Sequence, residues 1–240
     1  MLLSTGTSAA AQSEYGKRIY DAYINGDMTL WTQTIGSMES APLKNNKEKL
    51  ELTGYYYGHT GYLIGLGEKE TAKEYIEKAE KLIDDVLAEE PRNATALAYK
   101  GTFTGYRMSL NKMRTPILGP RTMKYIKAAY EADPENVQAL TDMGNMFYYA
   151  PALFGGDKQE GMSYLERAIR KTEELDMTQE NWNYMNTMVI LAQYRRETGS
   201  PQKALELYEK ILKIEPEFKW VRDELYPELK QELNSTQRHP

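Results

Sequence analysis

The chain has 240 residues, of which 41% are apolar and 27% charged, and its formal net charge is −5. It contains no cysteine, which excludes disulfides, thiolate nucleophiles and cysteine-based metal sites, and its two histidines are too few for a histidine-based metal cluster. No stretch approaches the roughly 18 apolar residues of a membrane span. An acidic chain without a groove-reading motif also does not indicate a nucleic-acid-binding protein.

The N-terminus has features of a secretory signal. Residues 1–12 combine a short apolar stretch with Ala9, Ala10 and Ala11, small residues of the kind that signal peptidase accepts. The basic start and most of the apolar core are missing, so Met1 would lie inside a longer precursor. We therefore expect a signal-peptide remnant on a periplasmic or secreted protein. The alternative is a disordered N-terminus on a cytoplasmic protein.

From Ser13 onward, apolar residues recur with the helical period in pairs of amphipathic helices. In the first pair, Asp27 follows Gly26 and caps the second helix. The predicted pairs cover residues 13–40, 47–90, 92–134, 136–175 and 180–216, followed by a capping helix over 217–234 and a disordered tail over 235–240. In the second pair, glycines recur every three or four residues from Gly54 to Gly65. That spacing leaves one side of the helix bare, so another backbone or a ligand could approach it.

Two pairs contain inserts. In the first insert, which falls between Met108 and Pro120, prolines 116 and 120 forbid a continuous helix. The second insert runs from Tyr149 to Asp157 and contains two adjacent glycines that allow a tight backbone, while Asp157 caps the helix that follows.

The cleanest helix pair lies in residues 185–216. Gly199 suits a left-handed helix end, Ser200 the next cap, and Pro201 the first helical position. The helices then show, in order, Leu191, Ala192, Ala204, Tyr208, Ile211 and a final Pro216.

This spacing resembles the tetratricopeptide repeat (TPR), although Arg195 stands where that pattern usually has an aromatic residue. The resemblance implies an all-α fold: an α-solenoid of stacked antiparallel helix pairs, wound into a superhelix and closed by a capping helix. In TPR proteins the first helix of each pair lines the concave side, where partners bind. The loop from Tyr149 to Asp157 is also similar to one in the T-components of TRAP transporters, which are periplasmic TPR-like proteins of solute uptake.

Charge is unevenly distributed. Residues 92–130 include eight basic residues and no Asp or Glu. This segment could form an anion-binding surface. Alternatively, it packs against the acidic second helix of the preceding pair, residues 68–90, and we favour this internal charge match.

The sequence contains no catalytic constellation or phosphate-binding glycine loop, so neither an enzyme nor a cofactor is expected. His59 lies beside three tyrosines, where a buried, hydrogen-bonded histidine is commoner than a ligand contact. Concave positions carried over from the TPR pattern, together with His59, Arg107 and Phe154, supply the candidate binding residues. They are Tyr57, His59, Tyr62, Thr102, Tyr106, Arg107, Asn145, Tyr148, Tyr149, Phe154, Asn186, Gln193 and Arg196. The tyrosines could instead fill the joints between repeats.

Two functions follow from this reading. The first is a non-enzymatic TPR-type scaffold of the bacterial envelope that binds a protein or peptide in its concave groove. The second is a periplasmic solute-binding accessory, similar to the TRAP T-components, that binds a small anionic ligand. A groove open at both ends favours the first function, and an enclosed cavity favours the second.

Overall fold

The computed structural model describes residues 13–238, which form α-helices and no strands. The helices are α1 (Glu14–Asn25), α2 (Met28–Glu39), α3 (Asn46–Leu66), α4 (Lys69–Glu89), α5 (Ala94–Leu110), α6 (Thr115–Ala132), α7 (Val137–Tyr149), α8 (Lys158–Glu174), α9 (Trp182–Glu197), α10 (Pro201–Ile214) and α11 (Tyr226–Arg238). Short 3-10 turns cover Lys112–Arg114 and Ala152–Phe154, and a π-helical turn covers Val221–Leu225. Within this range, no helix combines the length and apolarity that crossing a bilayer requires.

Helices α1 to α10 form five antiparallel pairs stacked side by side, and this arrangement confirms the predicted all-α solenoid. Small residues bring the paired helices close together. A Cβ atom added to Gly144 on α7 would lie 2.7 Å from the side chain of Leu165 on α8. A Cβ atom on Gly161 would lie 2.7 Å from the Gly144 carbonyl oxygen. A side chain at either position would force the two helices apart.

The predicted helix ends are mostly present. Oδ1 of Asp27 accepts a hydrogen bond from the Leu30 amide at 2.9 Å, and Asp157 caps α8 in the same way. Gly199 adopts the left-handed conformation with φ of +78°, and Pro201 begins α10. Ser200, however, makes no side-chain capping bond. Helix α10 therefore starts without the predicted cap.

The expected break at the prolines of the first insert is wrong, because α6 runs without interruption from Thr115 through Pro120. Pro116 lies in the first turn, where a backbone N–H has no helical partner in any case. Pro120 removes one further bond, to the carbonyl of Pro116. Since Pro116 is exposed, water can satisfy that carbonyl. The insert therefore lengthens a helix instead of forming a loop.

The glycine-rich side of α3 is filled by aromatic rings. Trp31 and Trp182 approach Gly58 so closely that an added Cβ would lie 2.7 and 2.9 Å from their ring atoms. The hydroxyl of Tyr106 would lie 3.1 Å from a Cβ on Gly61. At these two glycines the close approach is made by side chains of neighbouring helices and not by another backbone, and both glycines also line the cavity described below.

At the C-terminus, the chain continues as a helix beyond the predicted cap. The π-helical turn over Val221–Leu225 comes shortly before Pro227, and α11 then extends to Arg238. No proline or glycine interrupts the chain from residue 228 to residue 238, so the helix does not stop at the predicted end, residue 234. The predicted signal remnant over residues 1–12 and the last two residues of the predicted tail lie outside the described residues.

The first pair of helices packs against the fifth. The hydroxyl of Tyr23 on α1 donates a hydrogen bond to Oδ1 of Asn186 on α9 at 3.0 Å. Tyr20 donates to Glu215, beyond the end of α10, also at 3.0 Å. The ring of Trp182 lies 5.9 Å from that of Tyr23. The superhelix therefore returns on itself, and residues far apart in the sequence form one core.

Candidate ligand-binding cavity

The concave side of the superhelix contains a cavity of about 1750 Å³. The first helix of every pair contributes to its wall, as the TPR resemblance implies. The remaining wall comes from Met28 and Trp31 of α2, Lys112, the part of α6 from Thr115 to Ile126, residues 150–154 and residues 219–224. Cavities for small molecules typically measure about 300–1000 Å³, so this one can hold a ligand larger than most metabolites.

Aromatic rings close the concave side where the first, second and fifth pairs meet. Trp182 lies at the centre, and its ring centroid is 5.0 Å from that of Trp31 and 6.2 Å from that of Tyr57. The indole N–H of Trp31 donates to the Tyr55 carbonyl at 3.1 Å. We call the rings of Tyr23, Trp31, Tyr57 and Trp182 the aromatic floor. Because they touch across the concave side, the cavity is not a groove open at both ends.

Two asparagine side chains supply hydrogen-bond donors to the wall. Oδ1 of Asn145 accepts from the Tyr194 hydroxyl at 2.9 Å, and Oδ1 of Asn186 accepts from Tyr23. These bonds assign the orientation of both amides. Each NH₂ group therefore remains available as a donor in the cavity that both residues line.

One carboxyl group is buried in the same wall. Asp142 on α7 is only 1% exposed, and its Oδ1 accepts from the Gln138 amide at 3.1 Å. Its Oδ2 has no hydrogen-bond partner among residues 13–238. Burial raises the pKa of Asp142 to about 7, while Gln138 and Thr102 act in the opposite direction. Burying a carboxyl group that has one unpaired oxygen costs folding free energy. Asp142 is therefore the chief polar feature of the cavity.

The structure brings most of the sequence-predicted site residues together. Those that line the cavity are Tyr57, Tyr62, Thr102, Tyr106, Asn145, Tyr149, Phe154, Asn186 and Gln193. The lining does not include His59, Arg107, Tyr148 or Arg196.

His59 lies in the interior of the fold. It is 4% exposed, and its ring centroid lies 4.8 Å from that of Tyr75 and 6.2 Å from that of Tyr62. Its Nδ1 has no hydrogen-bond partner among the described residues. Burial lowers the pKa of His59 to about 4, so the imidazole is neutral at pH 7.

Arg107 and Arg196 are both engaged in ion pairs away from the cavity. The Arg107 guanidinium makes two hydrogen bonds with Glu80 on α4, at 2.7 and 2.6 Å. This pair supports the internal charge match for that part of the basic segment. Arg196 binds Glu228 at 2.9 Å and Glu232 at 2.7 Å, which ties α9 to α11.

Of the candidate tyrosines, some line the cavity and others fill the joints between repeats, which are the two roles that the sequence left open. Tyr148 fills a repeat joint: its ring stacks on Tyr194 with centroids 3.4 Å apart, and its hydroxyl donates to Glu197. Tyr62 and Tyr149 are 43% and 73% exposed and belong to the cavity wall.

The sequence reasoning missed several parts of the wall, including three rings of the aromatic floor, Tyr23, Trp31 and Trp182. Asp142 precedes Asn145 by three residues and Tyr149 by seven, so helical spacing places it on their face of α7. That spacing could have revealed it. Gly119 and Met123 of α6 also line the cavity. They were overlooked because the prolines around them indicated a loop.

No protein-family model matches the sequence, and no curated protein matches it. Two solved structures are similar in fold. One is the HusA haemophore from Porphyromonas gingivalis, 17% identical, with a TM-score of 0.59 over 82% of this chain and 97% of that chain. The other is TTC0263, a thermophilic TPR protein of Thermus thermophilus, also 17% identical, with a TM-score of 0.53 over 88% of this chain and 91% of that chain. At this identity the similarity concerns the fold alone, and that fold is a TPR-like helical array.

Proposed function

We propose that this chain is a non-enzymatic binding protein of the bacterial envelope that carries a large, planar and mainly apolar ligand in its concave cavity. The observation that carries the proposal is the cavity itself: about 1750 Å³, based on an aromatic floor. Aromatic rings in the wall favour a ligand that itself carries flat rings, because offset-stacked or edge-to-face ring contacts add about 0.5–1.5 kcal/mol to the burial of apolar area.

The chemical class that fits best is a tetrapyrrole. Its flat macrocycle suits the ring of Tyr106 and the thioethers of Met108 and Met123. Its carboxylate groups suit two exposed cations in the lining, Lys112 and Lys219. The proposal is thereby nearer to the alternative function considered from the sequence, the binding of a small anionic ligand, than to the binding of a protein or peptide. Support also comes from the structural neighbour described as a haemophore.

The lining favours recognition of the macrocycle over ligation of a metal at its centre. The chain has no cysteine, and His59 lies outside the lining. Methionine and tyrosine remain as possible axial ligands of iron. Burial raises the pKa of Tyr106, which disfavours its phenolate. Because the lining formed by residues 13–238 contains no cysteine and no histidine, we expect contacts with the macrocycle to dominate and haem and metal-free protoporphyrin IX to bind with similar affinity.

A peptide is the second candidate ligand, and the polar wall favours it. Asn145 and Asn186 offer two donors and Asp142 offers one acceptor, which suits a peptide backbone. Because of the aromatic floor, a peptide would enter by one end and would not thread through. In this version of the proposal, the partner is a protein that inserts one end of its chain into the cavity.

Titration with haem and with protoporphyrin IX tests the proposal, read by tryptophan quenching and visible absorption. Replacing Tyr62 and Tyr149 together by alanine should weaken binding about five- to 150-fold, because two ring contacts of about 0.5–1.5 kcal/mol each are lost. Both side chains are partly exposed, so the fold should survive. Tyr226→Ala, on α11 outside the lining, is the matched control. If neither tetrapyrrole binds and a peptide co-purifies, the second candidate replaces the first.

The envelope location needs its own test. Cell fractionation, followed by mass spectrometry of the intact protein, should find it in the periplasm or medium with residues 1–11 removed. A cytoplasmic protein that keeps Met1 would contradict this part of the proposal.

A further inference from the structure

Large apolar side chains project into solvent beside the mouth of the cavity. Met113 is 91% exposed, Ile117 63%, Leu153 87% and Phe154 62%. Met113 and Ile117 belong to the start of α6 and the turn before it, and the other two to the loop after α7. We call these four residues the apolar lip. Both segments contribute neighbouring residues to the cavity wall, so the lip flanks one opening.

Unpaired positive charges accompany the lip. The basic residues of α6 and the turn before it are Lys112, Arg114, Arg121, Lys124 and Lys127, and all five are exposed. Across residues 13–238, none of the ion pairs involves any of these five. Internal charge matching therefore accounts for Arg107 and for Lys100, which pairs with Asp84 on α4, but leaves these five cations without an ion pair among the described residues.

The cations and the lip share one face of α6. Ile117, Arg121 and Lys124 are spaced by four and three residues, which places them on the same side of the helix. Apolar residues lie at the start of this face and basic residues follow. An interfacial amphipathic helix carries its apolar and basic residues on opposite faces, so α6 would not lie in the membrane in that way; instead, the apolar side chains at one end of this face can enter the headgroup region while the cations that follow contact phosphates.

We propose that the apolar lip and the basic face of α6 dock this protein on the surface of an anionic phospholipid bilayer, with the cavity mouth beside the membrane. Charge complementarity favours this occupant, because the chain as a whole is acidic and this face is not. The most exposed members, Met113 and Leu153, project almost fully into solvent, which suits a fluid surface. The inference does not depend on the identity of the ligand.

Vesicle flotation with the full chain tests docking. The protein should float with phosphatidylcholine vesicles that contain phosphatidylglycerol and not with pure phosphatidylcholine, and high salt should release it. Each basic residue near such a surface changes binding about fivefold. Lys124→Gln with Lys127→Gln should therefore reduce partitioning about 25-fold. Lys69→Gln with Lys73→Gln, an equal charge change on exposed positions of α4, is the matched control.

A second double variant tests the contribution of the apolar lip to membrane binding and has its own control. Ile117→Ser with Leu153→Ser should reduce partitioning at least about tenfold, whereas Leu175→Ser with Met177→Ser, which changes two exposed residues elsewhere, should not. The proposal is overturned if the wild type shows no preference for anionic vesicles, or if test and control pairs lose binding equally. A benzophenone photo-crosslinker at Ile117 in intact cells should label lipid. Labelling of polypeptide alone would make this face a protein interface and overturn the proposal.

Discussion

Replacing Asp142 by asparagine should stabilise the protein at pH 8 and change little at pH 4. The ordinary pKa of this carboxyl is 3.8, and burial raises the pKa to about 7 in the folded chain. Below pH 3.8 the group is protonated in both states. Between pH 3.8 and 7 the folded chain keeps a proton that the unfolded chain has lost, so stability falls as pH rises.

The interval between the two pKa values of Asp142, 3.8 in the unfolded chain and about 7 in the folded chain, sets the size of the effect. Each pH unit within it removes about 1.4 kcal/mol of the free energy of unfolding, so Asp142 removes about 4 kcal/mol in total by pH 7. Solvent screens little of this cost, because the residue is only 1% exposed. Asparagine has nearly the same shape and no charge. The variant should therefore gain up to about 4 kcal/mol over the wild type at pH 8.

Urea unfolding, followed by tryptophan fluorescence at several pH values from 4 to 8, measures this difference directly. The difference in unfolding free energy between Asp142→Asn and the wild type should rise through this range and level off above pH 7. Asp85→Asn removes a charge from an exposed position of α4 and serves as the control. A difference that does not change with pH would refute the reasoning, since the carboxyl would then ionise alike in both states.

Three further substitutions test other parts of the structure. Trp182→Ala should lower the free energy of unfolding by about 3–5 kcal/mol in urea denaturation, because this large ring is only 7% exposed. Arg107→Ala should cost about 1–3 kcal/mol, because it breaks a two-bond pair with Glu80 whose side chains keep only 26% and 24% exposure. Calorimetric titration with protoporphyrin IX should show unchanged affinity in this variant. Gly156→Ala should disrupt its loop, because the new Cβ would lie 1.7 Å from the Ala150 carbonyl oxygen. Faster amide exchange across residues 150–157 would detect that disruption.

The helical array could be predicted because its signals are local. Apolar spacing, a capping aspartate such as Asp27 and a left-handed glycine such as Gly199 each act within a few residues. The expectation that Pro120 would interrupt the helix was wrong, and the reason for this is also local. The single lost hydrogen bond leaves a carbonyl that is exposed to water, so the usual penalty does not stop the helix.

The contact between the first and fifth pairs could not be predicted in this way. It depends on the curvature of the array, which accumulates from small rotations between successive pairs. No short window of sequence encodes that sum, and nothing near Tyr23 in the chain indicates that its partner is Asn186. The same limit applies to the basic segment. Composition revealed its excess of cations, but only the fold separates Arg107, which is paired, from Lys124, which makes no ion pair among the described residues.

The contact between α1 and α9 also fixes the number of repeats. Open arrays can gain or lose a unit by gene duplication or deletion, because each unit touches only its neighbours. Here an additional pair would carry Trp182 away from Trp31 and Tyr23 and expose all three rings to water. Descendants of this protein can therefore vary their loops and their cavity wall, but we expect them to keep five pairs.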